Sequence, residues 1–174
     1  MPRDHLVLVG LMGAGKSSVG RRCAELLGRP FVDTDELVVA MAGIPFDDLW
    51  AAEGESGFRA RERAAVADAT ASPVPLVIAC GGGAVLDPDN RRALRARGFV
   101  VWLAASPTVL ASRLAGDDSR PLLAGGDRAT TLTRLADSRA AAYEAAADAT
   151  VATDGRTVDA VAGSVLEEFE SCDA

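Results

Sequence analysis

An α/β domain with a parallel sheet is the fold class this sequence predicts. Short apolar runs alternate with longer helical patterns along the 174 residues, the sign of successive βαβ units. The first three apolar runs end in a glycine-rich loop, a pair of aspartates and a triple glycine. In doubly wound sheets functional groups collect at the carboxyl ends of strands, and three strand ends agree here.

HLVLVG is the first strand, and SSVGRRCAELLG an amphipathic helix closing on Gly28 as its cap. PFVDTD is the second strand. A helix-rich segment runs from about Glu36 to Ala69, with breaks near Gly43-Ile44-Pro45 and at Gly54. PLVIAC is the third strand and runs into Gly81–Gly83. DPDNRRALRARG is a capped helix, FVVWLA the fourth strand and PTVLASRLAG another helix. DDSRPLLAGGDR, polar and glycine-bearing, reads as a mobile loop. ATTLTRLADSRAAAYEAAA is a long helix, DATVAT the last strand and TVDAVAGSVLEEFE the closing helix. No repeat or linker interrupts the series, so residues 1–174 are expected to form one domain.

The loop after the first strand, GLMGAGKSS, fits the phosphate-binding pattern G-x-x-x-x-G-K-[ST] from Gly10 to Ser17. Glycines let successive backbone N–H groups turn toward an anion, and the following helix adds its positive end. Lys16 is the one lysine among 18 lysine and arginine residues. Its compact charge suits a crowded loop better than a planar guanidinium does. Ser17 would supply a hydroxyl to Mg²⁺.

Asp33 and Asp35 lie two apart and share a side if the strand stays extended. One carboxylate can steady Mg²⁺ through water and the other can take a proton from a hydroxyl. The same residues also suit a helix N-cap and first turn before ELVVAMA. Arg59, Arg61 and Arg63 fall on a helix with Glu62, and the Arg59–Glu62 spacing allows an ion pair that fixes the guanidinium. The triple glycine permits close approach of a ligand to backbone. Arg120, stiffened by Pro121 and anchored by Leu122 and Leu123, suits a lid over residues 117–128. Asp117, Asp118 and Asp127 make that segment locally anionic, so an open resting arrangement is expected. Arg139 and Tyr143 share a helix face, and Met12 and Trp50 read as packing residues.

A net charge of −7 and a pI near 4.7 argue against nucleic acid as a partner. No apolar run is long enough to span a membrane, and the opening MPRDH lacks a signal-peptide pattern. A cytoplasmic protein is expected. Cys23, Cys80 and Cys172 form no disulfide framework or metal-ligand spacing, and His5 is the single histidine.

Along nearly its whole length the chain resembles shikimate kinases. The resemblance rests on GLMGAGKS, DTD, Phe58-Arg59 with Glu62, GGG, RPLL and SRAAAY, in that order. It implies the three-layer P-loop kinase fold of the nucleoside monophosphate kinase group. A five-stranded parallel sheet would be flanked by helices, with a lid and a substrate-binding helical region at about 36–62. It implies ATP-dependent phosphorylation of the 3-hydroxyl of shikimate, in the biosynthesis of chorismate and aromatic amino acids, with one Mg²⁺ per subunit. By the same resemblance Gly13, Ala14, Gly15, Lys16, Ser17 and Ser18 would hold the ATP phosphates, Ser17 and, through water, Asp33 the metal. Asp35 would bind the ring hydroxyls and act as base, Arg59 and Arg139 would grip the carboxylate, and Gly82 would contact the ring. Arg120 would reach the transferred phosphate, and Arg156 would lie near the adenine. The acting form would be a monomer without nucleic-acid or membrane partners. Three features depart from many relatives: alanines where a proline falls between the equivalents of Arg139 and Tyr143, Ser18 in place of threonine, and a loose match around Arg156.

A GTPase switch would need an Asn-Lys pair to read guanine, and the chain has only Asn90 and Lys16. A gluconate or nucleoside monophosphate kinase would share the loop and lid, with less reason to carry DTD, the Arg59–Glu62 pair and the triple glycine together. A catalytically silent relative would have no need of Lys16, Asp35 and Arg120 together.

Overall fold

A computed structural model describes residues 3–172. The first strand, β1 (His5–Val9), is buried at every residue, as a strand covered on both faces must be. It leads through the glycine loop into α1 (Lys16–Leu27), which closes on Gly28 with φ 62°. β2 (Phe31–Asp33) is followed at once by α2 (Thr34–Ala42), then by α3 (Phe46–Thr70), which breaks at Gly54, φ 66° and ψ −170°. β3 (Val77–Ala79) runs into the triple glycine and a 3-10 turn at Ala84–Leu86. Then come α4 (Pro88–Arg97), β4 (Gly98–Ala104) and α5 (Pro107–Arg113). A second 3-10 turn (Pro121–Leu123) interrupts the lid segment before α6 (Arg128–Ala146), β5 (Ala149–Ala152) and α7 (Val158–Ser171).

All five strands are parallel, in the order β2-β3-β1-β4-β5. β1 is central, paired with β3 on one side (Leu6 opposite Val77) and β4 on the other (Leu6 opposite Phe99). The loop after β1 therefore sits where the chain reverses its direction of travel across the sheet, the usual ligand crevice of such folds. Packing of α1 on α7, and of α3, α4 and α6 in succession, gives two helical layers around the sheet. The main core is aliphatic, with Leu6, Leu8, Ile78, Leu94 and Leu103 fully buried. A separate small core of Val38, Leu49, Phe58 and Ala65, with Phe46 and Trp50 against it, joins α2 to the first half of α3. Among the described residues no helix is long and apolar enough to cross a membrane.

Two expectations change. The second strand stops at Asp33, so Asp35 lies in the first turn of α2 and the two carboxylates do not share an extended strand. The cause is local: Asp33 accepts hydrogen bonds from the N–H groups of Asp35 and Glu36, and that cap starts the helix. The lid segment is not swung away. Leu123 is buried in the main core, and Arg120, Pro121 and Leu122 line the same cavity as Asp35. Its acidic residues are matched internally, Asp117 with Arg120 and Asp118 with Arg128, which relieves the local repulsion.

Candidate active site

The loop between β1 and α1 turns through Gly13 and Gly15, at φ 80° and 95°, values that side chains with a Cβ rarely adopt. Gly15 is the N-cap of α1 and no side chain caps that helix. Its first N–H groups are thus left facing the loop, an anion site ready-made. Ala14 is buried, whereas Ser18 is exposed. Lys16 donates from Nζ to the Leu11 carbonyl at 2.9 Å. Desolvation lowers its pKa to about 8, against the pull of nearby Asp35. Ser17 Oγ donates to Asp33 Oδ2 at 2.6 Å, so a hydroxyl and a carboxylate meet at the start of α1.

On the other side of this loop a cavity opens, and its walls differ in character. Phe46, Trp50 and Phe58 form an apolar wall, with ring centroids 5.3–5.7 Å apart. Met12 lines the same cavity, and both it and Trp50 pack against the cores as expected. Arg59, Arg120 and Arg139 bring cations to it, and Asp35 and Glu62 bring carboxylates. Arg59 donates to Glu62 Oε2 at 2.8 Å, the predicted pair, and Glu62 is only 1% exposed. Arg139 is 4% exposed. Burial, with Asp33 next, raises the Asp35 pKa above the usual carboxylate range, while Lys16, Arg120 and Arg59 pull it back. Burial raises Glu62 likewise, against the Arg59 charge.

The triple glycine is what lets these groups crowd together. A Cβ at Gly81 would lie 2.5 Å from Asp35 Oδ1 and 2.6 Å from Glu62 Oε1, and one at Gly83 would overlap the Arg59 guanidinium. Gly82 faces Arg139 and the backbone of Met12 at ordinary contact distance. Among the described residues, Asp35 Oδ1, Glu62 Oε1 and Arg139 Nη1 are buried and find no hydrogen-bond partner.

Arg156 stands elsewhere, lining an outer cleft with Gly13, Gly15, Ser18 and Arg113. Its guanidinium donates to the Ala152 and Ala160 carbonyls and to Ser164 Oγ. Sequence reasoning missed Arg113, which donates to Gly13 O and to Thr153 at 3.1 Å. Nothing around position 113 signals it, because only the adjacency of β1 and β4 brings α5 beside the loop. The aromatic wall had a signal in the four-residue spacing of Phe46 and Trp50 on one helix. Among the described residues no cluster of three or more His, Cys, Asp or Glu could hold a metal by itself.

The chain matches the family model for shikimate kinase over residues 12–170. It is 51% identical to a shikimate kinase of Symbiobacterium thermophilum over 168 residues, covering 95% of this chain and 96% of that one. A shikimate kinase from Acinetobacter baumannii, solved in complex with shikimate, superposes with a TM-score of 0.93 at 36% identity, covering 97% of this chain and 93% of the other. A gluconokinase from Sinorhizobium meliloti, covering 99% of this chain and 95% of its own, reaches only 0.59 at 22% identity and shares the fold alone. With its glycine loop, its triple glycine and the arginines around them in one cleft, the chain belongs to the shikimate kinase family.

Proposed function

We propose that the enzyme transfers the γ-phosphoryl group of ATP to the 3-hydroxyl of shikimate, acting as a monomer whose single lid is residues 117–128. The observation that carries this reading is the set of buried polar atoms without partners on one cavity: Asp35 Oδ1, Glu62 Oε1 and Arg139 Nη1. Such atoms are costly unless a ligand meets them. A small cyclic acid bearing hydroxyls offers a carboxylate to the arginines and hydroxyls to the carboxylates.

In this reading Gly13 to Ser18 hold the ATP phosphates, and Arg156 lies toward the adenine, consistent with the outer cleft it shares with Ser18. Arg59 and Arg139 take the substrate carboxylate, and Gly82 supports the ring. Asp35 accepts the hydroxyl proton while the oxygen–phosphorus bond forms and the bond to the departing ADP oxygen breaks. Its raised pKa makes it a better proton acceptor than an ordinary carboxylate. Lys16 and Arg120 balance charge on the transferred group.

The Ser17 hydroxyl and Asp33 carboxylate, already in contact, fit Mg²⁺, which keeps most of its waters and takes few protein ligands. Held there with nucleotide, the ion would supply positive charge to offset that on the phosphates. A cytoplasmic setting accords with three free cysteines, two of them buried.

The test is ADP release measured in parallel with shikimate, gluconate and nucleoside monophosphates. Release above background is expected with shikimate alone, and faster release with gluconate or a nucleotide would overturn the reading.

A further inference from the structure

We infer that Thr34 and Tyr143 are positioning residues: two buried hydroxyls, on different helices, that pin the Gly81–Gly83 turn and so set the spacing of the shikimate-binding groups. The inference rests on the substrate site proposed above and explains two residues to which that reading gives no role. Glycine has more backbone freedom than any other residue, and three in a row supply no side chain to fix their own turn. The turn nevertheless has to be held in place, since it borders every binding group: a Cβ would meet Asp35 and Glu62 at Gly81, Arg139 at Gly82 and Arg59 at Gly83.

Its backbone bonds show how it is held. The Gly81 and Gly83 carbonyls accept from Ala84 and Leu86, which only close the 3-10 turn beyond. Tethering to the rest of the site comes through two side chains. Thr34 Oγ1 accepts from the Gly81 N–H at 3.0 Å, and the Tyr143 hydroxyl donates to the Gly82 carbonyl at 2.5 Å. Thr34 is 0% exposed and lies between Asp33 and Asp35. Tyr143 is 1% exposed and sits one helical turn beyond Arg139. Each hydroxyl thus ties the glycines to a helix that carries a binding group. The Tyr143 ring is fixed in turn by stacking on Trp102, with centroids 5.4 Å apart at 22°. Burial pushes the phenol up to about 12, so it stays a donor throughout the working range.

Three variants test this: Thr34→Val, which keeps the shape and loses the hydroxyl, Thr34→Ser, which restores it, and Tyr143→Phe. Thr34→Val and Tyr143→Phe should each raise the shikimate KM by about tenfold, the order expected when a buried group loses its one partner. The ATP KM should move by less than about twofold, because the phosphate loop is not tethered by either residue. Thr34→Ser should return the shikimate KM toward wild type. Amide hydrogen exchange at residues 81–83 should quicken in the first and third variants, a readout that needs no substrate. Tyr143→Phe keeps the Trp102 stack, so a folded variant is available whatever Thr34→Val does. Wild-type exchange and wild-type shikimate KM in either variant would overturn the inference, as would shikimate and ATP KM rising together with a lower Tm. A wild-type enzyme that does not use shikimate would instead sink the functional reading, and the exchange measurement would still decide whether the hydroxyls hold the turn.

Discussion

Lys16 is the chain's one lysine, and its surroundings explain why arginine, used everywhere else, does not serve there. Its ammonium reaches back to the Leu11 carbonyl inside a loop closed by Gly13 and Gly15. A point charge on a flexible stem can turn from that carbonyl to a phosphate, whereas a planar fork needs more room and a fixed approach. Lys16→Arg should therefore keep the fold and lower kcat by about 10²–10³, comparable to losing one charge-stabilising donor. Near-normal turnover with an unchanged melting curve would contradict this. Lys16, Ser17 and the Arg59–Glu62 pair were legible because each depends on neighbours a few residues away. The bonds made by Thr34, Tyr143 and Arg113 were not, because their partners lie 47, 61 and about 100 residues off in the chain.

At the scale of elements, the sequence marked every strand and helix and misjudged one boundary that matters. VDTD reads equally as strand and as helix cap, and only the bonds to Asp33 decide for the cap. The break at Gly54 was legible, but not the brace across it: Arg61 donates twice to Glu53, at 2.8 and 2.7 Å, which the bend makes possible. The segment proposed as a lid carries an ion pair that a ligand can replace. Arg120 meets Asp117 at 3.3 Å with both side chains partly exposed, a pair of little net strength. A phosphate can displace that carboxylate, so Arg120 is poised rather than locked. Arg120→Ala should lower kcat by about 10³, as arginines on transferred phosphates do, with little change in shikimate affinity. Equal losses in turnover and in shikimate binding, measured by titration, would show that the arginine only shapes the pocket.

For the whole molecule, the strand order is what the sequence left open, since nothing local says that β1 lies between β3 and β4. That order also buries His5 at the start of the central strand, where it ties β1 to both ends of the connection from α3 to β3. Its Nδ1 accepts from the Leu76 N–H at 3.1 Å, and Nε2 faces the Thr70 carbonyl at 3.3 Å. Both bonds require the neutral ring with its proton on Nε2. Burial lowers its pKa below the ordinary 6.5; the Thr70 contact and Asp4 oppose this, and Arg97 and Arg29 add to it. Protonation would break the Leu76 bond and set a third cation beside two arginines. Because the folded pKa is depressed, the unfolded chain binds more protons below 6.5. Stability from His5 is therefore complete above that value and is lost as pH falls toward the folded pKa. Asp35 and Glu62, whose pKa values burial raises, act in the opposite sense, so the comparison must be wild type against variant. His5→Gln can keep an acceptor and a donor without titrating, and the chain has no other histidine. As pH falls below 6.5 its unfolding free energy should fall less steeply than that of wild type, by at most about 1.4 kcal/mol per pH unit. Denaturant melts at a series of pH values measure this, and parallel curves for the two proteins would mean that His5 carries none of the acid sensitivity.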